Sequence, residues 1–395
     1  MINDLTHDMS IASTRDERAR KSFVATLRGH VLVTMADAMH QQYHNEIAPA
    51  FEREHGRAPA DGPEVHKLMK EQDYFKFYSS IRYNAQEMVW RSVIPTVERN
   101  LEDLATRAKE MSDKEVGGTL TLDPDMQVPK NVTKLDVHLA PGCYHSEFVA
   151  DDVATGAVYD QGLNVFAANM MGEDLCDIGD SMSNYARLRH PELKPQRILD
   201  MGCTVGHNTL PWAKNFPDAE VHAIDVAAPA LRYAHARAQA LGVPVHYRQM
   251  NATSMDYPDN HFDIVFSSMF LHELPLKDIR AALAEAYRVL KPGGMLLTME
   301  LPPNDQSAAY DSFYLDWDCY YNQEPFYKAF RDQHYLDLTT KAGFAPDTYF
   351  DTVMPSWGNT TEQDFTDVIH AEGKFNDKTG RLTDGICWYG FGAWK

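Results

Sequence analysis

Between residues 197 and 301, short apolar runs alternate with amphipathic stretches, a pattern that predicts strands and helices in turn. Ile198 and Leu199 follow a polar approach containing Pro191 and Pro195. They run into Asp200 and a glycine-bearing turn, as a buried strand ending at a ligand-facing loop does. The run 221–225 closes on Asp225, 245–250 leads to Asn251 and Ala252, 262–268 ends in Ser267 and Ser268, and 295–301 follows a Lys-Pro-Gly-Gly turn. Within 278–290, Ile279, Leu283, Ala286 and Leu290 share one side of a helix, with Asp278 as its N-cap. This alternation predicts an α/β fold: a doubly wound parallel sheet with helices on both faces, binding ligands beyond the carboxyl ends of its strands.

Upstream the pattern changes. The first ten residues carry no periodicity and are expected to fray. Thr14 and Glu17 have capping-box spacing, and Phe23, Leu27, Val31, Met35 and Met39 recur at helical intervals, so a long helix is expected over 16–53. Gly56 and the cluster 59–63 end it. A second helical region runs from 63 to 111 with an interruption at Pro95. After Gly117 and Gly118, 119–122 and 132–139 alternate as two short strands of a hairpin would. Residues 181–189 read as the helix entering the glycine-turn unit. The chain thus divides into an N-terminal helical domain (1–116: substrate wall, lid or dimerisation surface), a connecting hairpin and lid segment (117–180) and the α/β domain (181–395), with an aromatic insertion at 302–335.

Charge and cysteine usage narrow the function classes. A net charge of -20 over 395 residues, with no basic patch, disfavours nucleic acid as a partner. The five cysteines show no metal-ligand spacing, so no metal site is expected, and a reduced setting is the simplest reading. The N-terminus lacks a signal-peptide layout and no apolar run reaches membrane-spanning length; a soluble, cytoplasmic protein without a membrane partner is expected.

The glycine turn narrows the ligand. A dinucleotide fingerprint needs glycines at 202, 204 and 207, where the chain has Gly202, Thr204 and His207, so NAD and FAD are disfavoured. Asp200 would repel a pyrophosphate but attract an ammonium group. Leu199, Asp200, Gly202, Cys203 and Gly206 match the motif Leu-Asp-x-Gly-Cys-Gly-x-Gly, with Thr204 replacing the middle glycine. Here the chain resembles the class I S-adenosylmethionine-dependent methyltransferases, in particular those acting on small molecules. The run 221–225, Asn251-Ala252, the run 262–268, Leu271-His272-Glu273 and the turn 290–294 follow in that family's order.

The resemblance implies a seven-stranded Rossmann-like sheet and S-adenosylmethionine as cofactor. It implies that Asp200, Gly202, Cys203, Thr204 and Gly206 hold the methionine end, Asp225 and Val226 the ribose, Asn251 and Ala252 the adenine, with Ser267 and Ser268 closing the site. Asn251 replaces an acid, and its amide oxygen would accept from the adenine amine. Tyr159, in a Tyr-Asp pair like that ahead of the first strand in many small-molecule methyltransferases, would enclose the cofactor, and the hairpin would lie across its cleft. The Ala-Gly-Phe turn at 342–344, a strand near 348–353 and the closing run 387–395 match the family's antiparallel end, which leaves 355–385 as a surface insertion.

The implied reaction is in-line methyl transfer to an O, N or S nucleophile of a small molecule. His272 is the first candidate for a general base, with His145 and His138 behind it. Tyr310, Phe313, Tyr314, Trp317, Tyr320 and Tyr321 form an aromatic stripe beside Asp311, Asp316 and Asp318; Tyr314, Trp317 and Tyr321 are the candidate acceptor contacts. A homodimer through the N-terminal helices fits the organisation. The alternatives are a protein or peptide methyltransferase, for which the acidic surface would favour a basic partner, a protein that binds the cofactor without turning it over, or a different reaction of the same cofactor.

Overall fold

Eight strands form one sheet: β1 Thr119–Thr121, β2 Arg197–Met201, β3 Glu220–Asp225, β4 His246–Gln249, β5 Phe262–Ser268, β6 Leu290–Glu300, β7 Tyr349–Pro355 and β8 Cys387–Trp394, in the order β1-β4-β3-β2-β5-β6-β8-β7. The structure is a computed structural model that describes residues 2–168, 170–172, 174–370 and 387–395. Strands β1 to β6 pair in parallel, whereas β8 lies antiparallel between β6 and β7. Strand side chains alternate between faces. Ile198, Val221, Ile264 and Leu297 therefore pack with Met182, Trp212 and Leu231 on one face. Leu199, Ile224, Val265 and Leu296 meet Ile279, Leu283 and Leu338 on the other. The expected doubly wound sheet is present, and β1 extends it by one edge strand.

That edge strand replaces the hairpin. Residues 119–121 join β4 in parallel, while 132–139 hold a short helix, Lys130–Thr133, and a 3-10 turn, Val137–Leu139. Positive φ at His138 (59°) and Leu139 (60°) breaks the extended path that alternation alone suggested. The first residues are not frayed: Ile2, Leu5, Met9 and Ile11 are buried, and His7 reaches Asp160 at 3.1 Å. Helix Leu276–Val289 begins ahead of Asp278, because the Pro275 carbonyl accepts from the Asp278 and Ile279 amides. Pro95 sits inside the unbroken helix Asp73–Glu98, between buried Val93 and Val97.

The long first helix is present from Arg15 to His55 with two π-helical turns, His30–Met35 and Tyr43–Ile47. The Thr14 and Glu17 capping box closes its start, and Gly56 at φ 70° ends it. Its stripe is narrower than expected, since Phe23 is exposed. Val31, Met35 and Met39 pack with Val65, Phe75 and Tyr78, and with Tyr310, Phe313 and Trp317 of helix Ala309–Tyr321. That packing carries the N-terminal helices over the carboxyl ends of β2, β5 and β6. Helix Glu362–His370, buried through Phe365 and Ile369, lies within the expected insertion 355–385; its remainder, from 371, lies outside the described residues. Among the described residues no helix is long and apolar enough to cross a membrane.

Candidate active site

The glycine turn after β2 is pinned to the end of β3. The Gly202 and Cys203 amides donate to the Ile224 carbonyl at 2.9 and 3.1 Å, and the Thr204 amide donates to Asp225 at 3.0 Å. Gly202 has φ 78°, and a Cβ there would meet the Phe270 ring at 2.2 Å, so only glycine fits. Thr204 takes the left-handed conformation itself, at φ 48°. Asp225 also accepts from the Ala227 amide at 2.9 Å; burial raises its pKa against these two hydrogen bonds. Asp200 is fully enclosed and accepts from the Thr209 hydroxyl at 2.5 Å. Burial pushes its carboxyl up to about 7, with the Thr209 bond opposing and Asp225 reinforcing the shift.

These groups open onto a cleft of about 610 Å³ beyond the strand ends. Tyr159, Asp200, Gly202, Cys203, Thr204, Asp225, Val226, Asn251, Ala252 and Ser268 line it, as do His272 and Tyr314. Gly206 and Ser267 do not. Gly206 sits behind the turn with Tyr247 against it, and Ser267, one residue before Ser268, points to the opposite face of β5. The Asn251 side-chain oxygen accepts from the amide and hydroxyl of Thr253, both at 2.9 Å, so an adenine amine would have to displace the hydroxyl to use it. Asn208 donates to Ser268 at 3.0 Å, and its own side-chain oxygen is buried without a partner.

Beyond the turn the cleft continues over β5 and β6. His272 is buried, its Nδ1 is 2.6 Å from Glu300, and its ring stacks on Tyr327 at 3.8 Å. Burial would depress this imidazole, but the Glu300 carboxylate outweighs it and raises the pKa. His138 lies between two acids, Nε2 3.2 Å from Glu273 and Nδ1 2.8 Å from Glu324. Against the opposing effect of burial, these acids lift it to about 10, so it is a cation at neutral pH. Tyr144 donates to Glu273 at 3.2 Å.

Two candidates fall elsewhere. Cys143, at φ 49°, turns the chain so that Tyr144 enters the cleft and His145 faces a separate small cavity beside Glu147 and Arg232. Trp317 is buried against Phe75 and Tyr78, at 5.1 and 5.3 Å between ring centroids, and Tyr321 packs on Trp317 rather than on the cleft. Residues without a role in the sequence reading also line the cleft: Glu300, Glu324 and Tyr327, and, from the N-terminal helices, Arg28 and Arg82. Neither periodicity nor a motif singled these residues out, since Arg28 falls off the stripe of Leu27, Val31 and Met35 and the others follow no pattern.

A methyltransferase domain family model matches residues 198–294, which span β2 to the start of β6 and thus every loop at the cofactor end of the cleft. The chain carries a class I S-adenosylmethionine-dependent methyltransferase domain. Similarity to curated methyltransferases runs through the same region. The chain is 37% identical over 117 residues to a demethylmenaquinone methyltransferase of Thermus thermophilus, covering 30% of this chain and 52% of that protein. It is 36% identical over 108 residues to phosphoethanolamine N-methyltransferase 3 of Arabidopsis thaliana, covering 27% and 21%. The chain thus spans about half or less of the length of these relatives. Among solved structures, the phosphoethanolamine N-methyltransferase 2 of Haemonchus contortus aligns with a TM-score of 0.41 and 20% identity, over 63% of this chain and 60% of that one.

The cofactor of this methyltransferase domain is S-adenosylmethionine, and the cleft suits it. Asp225 keeps lone pairs for the two ribose hydroxyls after its backbone bonds, Asp200 offers negative charge to an ammonium, and the unpartnered Asn208 oxygen offers a further acceptor.

Proposed function

We propose that the chain transfers a methyl group from S-adenosylmethionine to the O, N or S nucleophile of a small molecule. The observation that carries this is the continuity of the cleft. The methyltransferase loops at one end and the His272, His138 and Tyr314 walls at the other bound a single volume of about 610 Å³, within the range of small-molecule sites. The N-terminal helices close over that far end, which favours a compact acceptor over a peptide laid across an open groove.

When bound, S-adenosylmethionine supplies a methyl carbon made electrophilic by its sulfonium. The cleft walls would align the acceptor's nucleophilic atom in line with that group, and such alignment can supply much of the rate. Glu300 holds the Nδ1–H of His272 and so orients the ring, leaving Nε2 to take the proton that an acceptor hydroxyl, thiol or ammonium gives up. The protonated imidazole gains the Glu300 carboxylate as its counterion. His138, Glu273 and Glu324 form a fixed polar wall beside it.

Incubation with S-adenosylmethionine and a panel of amines, phenols and thiols should yield S-adenosylhomocysteine. His272→Ala should keep cofactor affinity while turnover falls, by about 10²–10⁴-fold if proton transfer is its role. Saturable cofactor binding with no turnover on small molecules or on extract proteins would leave a binding protein in place of an enzyme.

A further inference from the structure

The N-terminal wall of the cleft holds a cation without an anion. Arg28 lies on helix Arg15–Gly29 at 2% exposure and lines the cleft; one of its nitrogens donates to the Gln86 side chain, whereas Nε and the second terminal nitrogen are buried with no partner. Its flat face rests on the Phe166 ring at 4.0 Å, which fixes the guanidinium in place. The nearby carboxylate, Asp318, is committed elsewhere: it binds Arg82 through two hydrogen bonds, at 2.7 and 3.0 Å. Asp37 lines the same wall, yet among the described residues no carboxylate comes within ion-pair distance of Arg28.

Buried guanidinium groups are ordinarily paired, because the charge is costly away from water and the planar fork matches a carboxylate or phosphate. An unpaired one facing a ligand cleft is a subsite awaiting its ligand. Resting on the methyl-transfer reading above, we infer that the acceptor carries an anionic group, a carboxylate or phosphate, that docks on Arg28 at the end of the cleft remote from the glycine turn. That far end of the cleft is then polarised across its walls. Arg28 and Arg82, balanced by a single Asp318, form one wall, and Glu273, Glu324 and Glu300 around His138 and His272 form the wall beside it, joined through Gln86, which accepts from Arg28 and donates to the His138 carbonyl at 3.1 Å. An acceptor anchored by its anion on Arg28 would present its nucleophile to the acidic wall, where the proton is taken up. Burial, with Arg82 beside it, pulls the Arg28 guanidinium down to about 9, the direction expected of a cation with no counterion.

The test titrates the full chain, with and without saturating S-adenosylhomocysteine, with inorganic phosphate and with acetate at constant ionic strength, chloride serving as the control. Wild type should bind one of the two saturably, and which one it binds distinguishes a phosphate from a carboxylate acceptor. Arg28→Met should weaken that binding by about tenfold or more, and Arg28→Lys should recover most of it. The unliganded Arg28→Met chain should melt no lower than wild type, because it loses an unpaired buried charge. A lower Tm together with lost binding that lysine does not restore would make Arg28 a structural residue and overturn the inference. So would anion binding that is absent, or unchanged in Arg28→Met. If S-adenosylhomocysteine itself does not bind, the methyl-transfer reading fails separately, and the anion titration of the ligand-free chain still decides the subsite.

Discussion

Asp200 and Asp225 are both buried carboxylates at strand ends, yet their surroundings give them different work. Asp225 accepts two backbone amides and so holds the glycine turn; if it also takes the ribose hydroxyls expected of it, Asp225→Ala should weaken S-adenosylhomocysteine by more than those ribose bonds alone, roughly 1.5–3 kcal/mol each. An unchanged dissociation constant in calorimetry would remove it from the site. Asp200 has a single hydroxyl partner, and its folded pKa of about 7 lies above the ordinary 3.8. A raised carboxyl keeps its proton longer when folded, so this residue's contribution to stability is present below pH 4 and is lost as pH rises to 7. Ligand affinity should move the opposite way: S-adenosylhomocysteine should bind tighter from pH 6 to 8 as Asp200 ionises opposite its ammonium, and Asp200→Asn should flatten that profile in pH-resolved calorimetry. Both aspartates were legible as cleft-lining carboxylates, because local pattern sets them at the carboxyl ends of their strands, Asp200 next to last in β2 and Asp225 last in β3. Arg28 and Glu324 were not, since their meaning depends on which helix faces which strand end. The Asx turn in which the Asn251 oxygen accepts from the Thr253 amide, two residues on, was not anticipated from the sequence.

Among the elements, the glycine turn carries the firmest constraint. Gly202→Ala must accept both a left-handed backbone and a Cβ inside the Phe270 ring contact, a loss of about 2–4 kcal/mol, which chemical denaturation would show as a lower midpoint with an unchanged slope. Strands β2 to β6 were readable because each joins a short apolar run to a nearby turn signal, information contained in a dozen residues. The stretch 132–139 was misread because apolar residues at alternate positions also arise in a loop that buries one side, and the left-handed His138 and Leu139 leave no composition signal. Periodicity placed Trp317 on a stripe but could not tell that Gly62–Met69 and Asp73–Glu98 would cover that part of it, leaving Tyr314 for the cleft.

For the whole molecule, the net charge of -20 is a self-repulsion that the fold must contain. Raising salt from 0.01 to about 0.15 M shortens the Debye length from about 30 to about 8 Å and should raise Tm, most of the gain coming in that interval. A flat salt profile would mean that local ion pairs already cancel the field. The N-terminal segment and the methyltransferase domain are joined through buried Asp160, which meets His7, His207 and Tyr233 at 3.1, 2.7 and 2.7 Å. Its neighbour Tyr159 lines the cleft, so binding S-adenosylhomocysteine should slow amide exchange in helix Arg15–Gly29 as well as in the glycine turn. The π-helical turn His30–Met35 lies between Arg28 and the cleft-lining residues Ala36, Asp37, His40 and Gln41 of the same long helix, and its own Leu32 lines the cleft as well. Such a turn holds one residue more than an α-helical path of the same span, so straightening it with every residue kept would rotate everything on one side by about 100° relative to the other. A single-codon deletion there would instead remove the widened turn, restore a regular helix, and leave Arg28 and His40 facing the same way.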